Sequence, residues 1–291
     1  MLKNNIREFL HYFLDGGYPQ FLIVGAQKAG TTSLHNYLCK HPDLVGATEK
    51  EVAYFNNDYK YELGDEWYKS RFKNVKNILK KNIFFESTPE YLYSSKALSR
   101  IYNFNPKIKL IILLREPVSR AYSAWNMFRD FKEGGKSLPQ SIILSHKYDS
   151  QNRIYSELYL NRLEFPSFEE VVEIELNRIN TASEILEPSF IRRGIYYNQI
   201  KNILAKFPKE NVLILGYKDL FGIKKMETLK NIVGFLEIAE FNWNNLKEEK
   251  MHNKRAYNSE INPITFQKLQ SFYDKHNIKL FKFLNVNNIN W

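Results

Sequence analysis

An α/β fold built on a parallel sheet is what this sequence predicts, and three observations predict it. Short apolar runs recur along the chain, each followed by a polar loop and, in most cases, a segment of helical spacing. The first of these loops is glycine-bearing, as a strand-to-helix turn that closes around an anion must be. No internal repeat and no Ser/Gly-rich linker divides the chain, so residues 1–291 read as one domain.

Taken in order, Phe21-Leu22-Ile23-Val24 is apolar throughout and ends at Gly25, the pattern of a strand buried on both faces. A helix follows over Thr31 to Lys40, where Leu34, Tyr37 and Leu38 share one face, and His41-Pro42-Asp43 stops it. Ile83-Phe84-Phe85 forms a second strand and runs into Glu86-Ser87-Thr88-Pro89. Ile108 to Leu114 forms a third, and Pro117 stands where a helix over Val118 to Arg129 would begin. Val212 to Leu215 forms a fourth, after a helical stretch from Tyr197 to Phe207, and Phe266 to Leu284 reads as an amphipathic helix. Residues 20–130 and 191–285 thus form the expected core. Residues 131–190 break the rhythm, with helix only over Phe168 to Ile179, and read as an insertion or lid.

Composition narrows the function classes. With 44% hydrophobic and 15% aromatic residues the chain has the material for a substantial core, which excludes a disordered protein. Cys39 is the one cysteine, so an intrachain disulfide framework and a Cys-rich zinc site are excluded together. The net charge of +10 suits an anionic partner: nucleic acid, anionic lipid, nucleotide or acidic glycan. A nucleic-acid module would gather its cations in a stripe with interleaved aromatics; here they are dispersed, and no nucleic-acid partner is expected. No run of about 18 apolar residues is present, so no integral membrane segment is expected. Lys3, Arg7, Glu8, His11 and Asp15 interrupt the N-terminal stretch, which therefore does not read as a secretory signal. The expectation is a soluble, reduced, cytoplasmic protein.

The loop Gly25-Ala26-Gln27-Lys28-Ala29-Gly30-Thr31-Thr32 has the G-x-x-x-x-G spacing of a nucleotide phosphate loop. Its glycines let the backbone fold round an anion, the first helical N–H groups point at it, and the threonines add hydroxyl donors. Two features separate it from a nucleoside-triphosphate site. Thr31 occupies the place of the lysine that follows the second glycine, with Lys28 lying earlier. The strand over 108–114 ends in Arg115 where a metal-holding Asp is usual. A cation there repels Mg²⁺ and attracts a second phosphate, so the expected ligand is a nucleotide bound without metal.

These residues resemble a family. Lys28, Ala29, Gly30, Thr31, Thr32 and Ser33 are similar to the 5′-phosphosulfate loop of sulfotransferases that use 3′-phosphoadenosine-5′-phosphosulfate (PAPS). Arg115-Glu116-Pro117-Val118-Ser119-Arg120-Ala121-Tyr122-Ser123 resembles their 3′-phosphate motif, an Arg at a strand end with a Ser eight residues on. His41-Pro42-Asp43-Leu44 and Lys50-Glu51-Val52-Ala53-Tyr54-Phe55 resemble the heparan-sulfate type and related bacterial carbohydrate and polyketide enzymes. The likeness covers most of residues 20–285 and is weakest over 131–190.

The resemblance implies PAPS as donor, adenosine 3′,5′-bisphosphate as product and no metal. It implies that Lys28, Ala29, Gly30, Thr31, Thr32 and Ser33 hold the 5′-phosphosulfate and that Arg115 and Ser123 hold the 3′-phosphate. Lys254 and Arg255, in a segment similar to the family's closing basic loop, join the same set. The family's general base falls on Glu51, with Glu49 its nearest rival and His35, His41 and His252 the alternatives; Lys28 would stand beside the leaving phosphate. Val52, Tyr54 and Phe55 are expected to give Glu51 apolar walls, which would favour the protonated form of the carboxyl. Ser87 departs from relatives that carry a second lysine there. The implied acceptor is a hydroxyl, with an amine as second option, on a carbohydrate or glycolipid. A small-molecule, polyketide or lipid hydroxyl is the alternative, and a P-loop nucleotide kinase is the alternative of another class. Arg153, Tyr155, Tyr159 and Arg162 in the insertion suit a sugar or an aromatic acceptor equally.

Overall fold

The computed structural model describes residues 17–73, 82–133, 162–180, 189–243 and 260–291. Five strands form one sheet: β1 (Phe21–Gly25), β2 (Leu44–Gly46), β3 (Ile83–Ser87), β4 (Lys109–Leu114) and β5 (Val212–Gly216). All neighbouring pairs are parallel, in the order β2-β3-β1-β4-β5. The helices are α1 (Thr31–Leu38), α2 (Asp58–Glu62), α3 (Gly64–Lys69), α4 (Ser95–Phe104), α5 (Pro117–Glu133), α6 (Phe168–Asn177), α7 (Tyr196–Leu204), α8 (Tyr217–Phe221), α9 (Lys225–Leu236) and α10 (Pro263–Leu284).

The central strands carry the apolar runs because helices cover both of their faces. Every residue of β1 is buried, and so is every residue of β4 after Lys109. The four strands read from the sequence are all present. The three-residue β2 is the addition, and it pairs Leu44 with Ile83 at the sheet edge.

Strand order positions the site. From β1 the chain passes through α1 to β2 on one side, whereas from β4 it passes to β5 on the other. The crevice at the carboxyl ends of β1 and β4 is therefore the switch point where such sheets take ligands. Their register, Phe21 beside Lys109 through Ile23 beside Ile111, sets the loop after β1 next to the start of α5.

Helix α5 begins at Pro117, and the Glu116 carboxylate accepts from the N–H groups of Val118 (2.8 Å) and Ser119 (2.7 Å). Its Val118, Ala121, Tyr122, Trp125 and Phe128 form a second apolar cluster with Phe165, Phe168, Val171 and Val172, joined by Phe190, Ile191, Leu269 and Tyr273. The described part of the 131–190 segment is thus packed onto α5 by its own core. Among the described residues, no helix is long and apolar enough to cross a membrane.

Candidate active site

The loop after β1 is shaped by backbone that only a few residues adopt. Gly30 has φ +91° and caps α1, and a Cβ placed there would lie 2.5 Å from the Phe221 ring. Lys28 also takes a positive φ, +68°. The Ala26 N–H is held by the Leu113 carbonyl of β4 at 2.7 Å, which ties the loop to the neighbouring strand.

At the end of this loop, α1 has no side-chain cap and no acidic residue in its first turn. Its first internal bond runs from Leu34 N–H to the Gly30 carbonyl at 3.1 Å. The amides of Thr31, Thr32 and Ser33 ahead of it point out of the helix end, where the dipole favours an anion. The start of α5 differs, because Glu116 already supplies a carboxylate there. Thr31 and Ser33 are buried and Thr32 is half-buried; Ala29 is fully buried.

The loop after β1 and the residue after β4 meet. Arg115 Nη1 donates to the Lys28 carbonyl at 3.2 Å, while its guanidinium lies 4.9 Å from the centre of the Tyr217 ring. Buried Tyr196 donates its hydroxyl to the Arg115 carbonyl at 2.8 Å, and burial pushes that phenol up to about 12. From the other side Lys28 Nζ lies 3.7 Å from Met127 Sδ on α5. Ser123 stands one turn before Met127 on the same face and is buried. Lys28, Arg115 and Ser123, three of the residues expected to act together, therefore converge on the β1–β4 crevice.

Glu51 follows β2 at the same carboxyl edge of the sheet. It adopts φ +64°, its side chain is 42% exposed, and its Oε1 pairs with Lys50 Nζ. The expected apolar walls are not there: Val52, Tyr54 and Phe55 turn into the core, where Tyr54 stacks on Tyr68 at 4.3 Å. The physical reason is the backbone, since positive φ at Glu51 and Ala53 turns the chain and sends the flanking side chains inward. Glu49 is also exposed and lies 4.0 Å from Arg71.

Two of the candidate histidines, His35 and His41, are held in structural contacts. His35 is buried, its Nδ1 lies 2.8 Å from Ser87 Oγ, and burial, with the Lys50 charge nearby, pulls it down to about 4. His41 Nδ1 accepts from the Asp43 N–H, its Nε2 lies 2.9 Å from the Ala239 carbonyl, and it packs against Phe241. Lys254, Arg255, His252, Arg153, Tyr155 and Tyr159 lie outside the described residues. Arg162 pairs with Glu170 at 2.7 Å.

One residue of the site has no role that the sequence alone suggests. Glu86, next to last in β3, is fully buried and accepts from Tyr68 (2.6 Å), Tyr91 (2.8 Å) and Thr88 (2.8 Å). A carboxylate closing an apolar run, with Thr and Tyr two and five residues on, is the signal that could have found it.

A helix start without a side-chain cap, beside a cation that follows the neighbouring parallel strand, is an arrangement suited to an anion at the carboxyl edge of an α/β sheet. The family model described as "Sulfotransferase domain" matches residues 18–283, and the chain belongs to that family. A relative, the membrane-associated sulfotransferase kil1 of Dictyostelium discoideum, is 24% identical over 92% of this chain and 65% of its own length. Heparan sulfate glucosamine 3-O-sulfotransferase 5 of Mus musculus is 35% identical over 45% of this chain and 37% of its own. The chain thus spans less than two-thirds of each of these relatives. The crystal structure of a sulfotransferase from Alicyclobacillus acidocaldarius has the same fold, with a TM-score of 0.65 at 22% identity over 93% of this chain and 97% of that one.

Proposed function

We propose that the chain transfers a sulfuryl group from PAPS to a hydroxyl of a carbohydrate or glycolipid acceptor, with Glu51 as general base. The observation that carries this reading is the contact between Arg115 and the Lys28 main chain, which places a guanidinium and an open helix start on one crevice. The donor set fits a ligand with two phosphate ends. Lys28, Gly30, Thr31, Thr32 and Ser33 would hold the 5′ end through backbone N–H, hydroxyl and ammonium groups. Arg115 and Ser123 would hold the 3′-phosphate, with Lys254 and Arg255 assigned to it by family likeness. The donor supplies a sulfuryl group bridged to phosphate, which is already activated for transfer.

The residues of the chain do the rest. Glu51 takes the proton of the acceptor hydroxyl as its oxygen bonds to sulfur. Lys28 neutralises the charge left on the departing phosphate oxygen. Exposure of Glu51 suits a base that meets its acceptor from solvent, and Lys50 holds the carboxylate in place beforehand. Carbohydrate is the favoured acceptor because one relative is named for heparan sulfate glucosamine and the segment that carries Glu51 resembles the heparan-sulfate type.

The test is a transfer assay with ³⁵S-labelled PAPS against desulfated heparan sulfate, a neutral glycolipid and a phenol. Label on a sugar hydroxyl supports the reading; label on the phenol alone moves the acceptor to the small-molecule class.

A further inference from the structure

We propose that Glu86 is a positioning residue: through the hydroxyls of Thr88 and Tyr91 it fixes the main chain that carries Glu51. The inference rests on the reading of Glu51 as the base.

A carboxylate buried at the end of β3 costs several kcal/mol unless its lone pairs are filled. Glu86 fills them with the three hydroxyls of Tyr68, Tyr91 and Thr88. Each hydroxyl has one proton, and once it is donated to Glu86 the oxygen can only accept. Thr88 Oγ1 accepts from the Ala53 N–H at 3.2 Å, and Tyr91 Oη accepts from the Phe55 N–H at 3.4 Å. Two relays therefore run from main-chain amide to hydroxyl to carboxylate, each bond polarising the next. Just ahead of them Lys60 Nζ donates to the Val52 carbonyl at 2.6 Å.

This segment requires such fixing. Glu51 (φ +64°) and Ala53 (φ +56°) are both left-handed, which L side chains disfavour by about 1–2 kcal/mol per residue. Left untied, Ala53 would relax toward ordinary backbone and swing Glu51 off the carboxyl edge. The apolar side chains of Val52, Tyr54 and Phe55 anchor the segment in depth, but the relays set its turn.

Substitution separates the roles. Glu86→Gln keeps the shape but offers an NH₂ where a second acceptor oxygen stood, so one hydroxyl loses its acceptor. Thr88→Val removes one relay and Thr88→Ser keeps it. Turnover is read as release of adenosine 3′,5′-bisphosphate from PAPS with desulfated heparan sulfate present, and affinity as the Kd of adenosine 3′,5′-bisphosphate. Amide exchange of peptides covering residues 51–56, which needs no acceptor, reports on the backbone. Glu86→Gln and Thr88→Val are expected to speed that exchange and to lower turnover by about tenfold to a hundredfold, as misplacement of a reacting group does. The bisphosphate Kd stays within about twofold, since the anion site is built by other elements, and Thr88→Ser restores both readouts. The Glu51→Gln/Glu86→Gln double variant turns over no more slowly than Glu51→Gln alone, because Glu86 acts through Glu51.

Unchanged exchange at 51–56 in Glu86→Gln and Thr88→Val would overturn the proposal. So would a double variant slowed by the full cost of both single changes. Wild-type turnover in Glu51→Gln would instead remove the base assignment, and the exchange data would still report on the relays.

Discussion

Arg115 Nη1 reaches the Lys28 carbonyl across 3.2 Å, so the residue that follows β4 and the loop that follows β1 are one unit. From this position Arg115 ties the loop to the end of the strand, and its guanidinium lies against the Tyr217 ring.

Removing the guanidinium should be felt in binding first. Arg115→Ala is expected to weaken adenosine 3′,5′-bisphosphate by about 2 kcal/mol, roughly thirtyfold in Kd. Arg115→Lys should recover little, since an ammonium cannot bond a carbonyl and a phosphate in the same fixed plane. Calorimetric titration of both variants decides this; equal affinity in Arg115→Ala would remove the residue from the anion site.

Glu51→Gln should separate chemistry from binding. Loss of a general base lowers turnover by about 10²–10⁴-fold, while the bisphosphate Kd stays at the wild-type value. Glu49→Gln, whose carboxylate faces Arg71, should keep most of the activity. If the two phenotypes are exchanged, Glu49 is the base.

Gly30 is required by conformation and by space. At φ +91°, with the Phe221 ring 2.5 Å from where a Cβ would stand, Gly30→Ala should cost more than about 1 kcal/mol of stability. It should also misplace the Thr31 to Ser33 amides. Thermal unfolding and bisphosphate titration read the two effects, and a variant with wild-type values in both would show the loop to be less constrained than its geometry implies.

Stability should carry two opposing pH dependences. Burial pushes the Glu175 carboxyl up to about 7, although the N–H groups of Phe190 (2.5 Å), Ile191 (2.7 Å) and Arg192 and the charge of Arg120 favour its ionised form. The folded state then binds this proton more tightly than the unfolded chain, so this contribution falls as pH rises from about 4.5 to 7. His35 has the other sign: its folded value of about 4 lies below the ordinary 6.5, so its contribution falls as pH drops through that window. Each slope is at most about 1.4 kcal/mol per pH unit. In urea unfolding from pH 5 to 8, His35→Asn should lose stability more steeply with rising pH than the wild type below pH 6.5, and Glu175→Gln should rise more steeply. Parallel curves for all three proteins would contradict the assignment.

Much of this was legible in the sequence, for physical reasons that particular residues illustrate. Strands β1 and β4 are buried on both faces and so appear as unbroken apolar runs, while β3 and the edge strand β5 show shorter ones, Ile83 to Phe85 and Val212 to Leu215. The loop around Lys28 and Gly30 announces itself because turn chemistry needs glycine. β2 did not appear, since Leu44 to Gly46 is too short to show a period and owes its form to β3. Nor did α4, whose signal is Ser94 capping the Ala97 N–H beside three buried residues, Ala97, Leu98 and Ile101. The surroundings of Glu51 differ from expectation because apolar neighbours in sequence are not neighbours in space here, and positive φ at Glu51 and Ala53 turns them away. The partners of Glu86 were hidden for a related reason: Tyr68 reaches it from helix α3, 18 positions earlier.

The most direct test of the central claim is a calorimetric titration of the purified protein with adenosine 3′,5′-bisphosphate, beside ATP with Mg²⁺, each with and without EDTA. The account predicts tight bisphosphate binding that EDTA leaves unchanged, and weak ATP binding. Metal-dependent ATP binding with no preference for the bisphosphate would contradict it and return the loop to the kinase class.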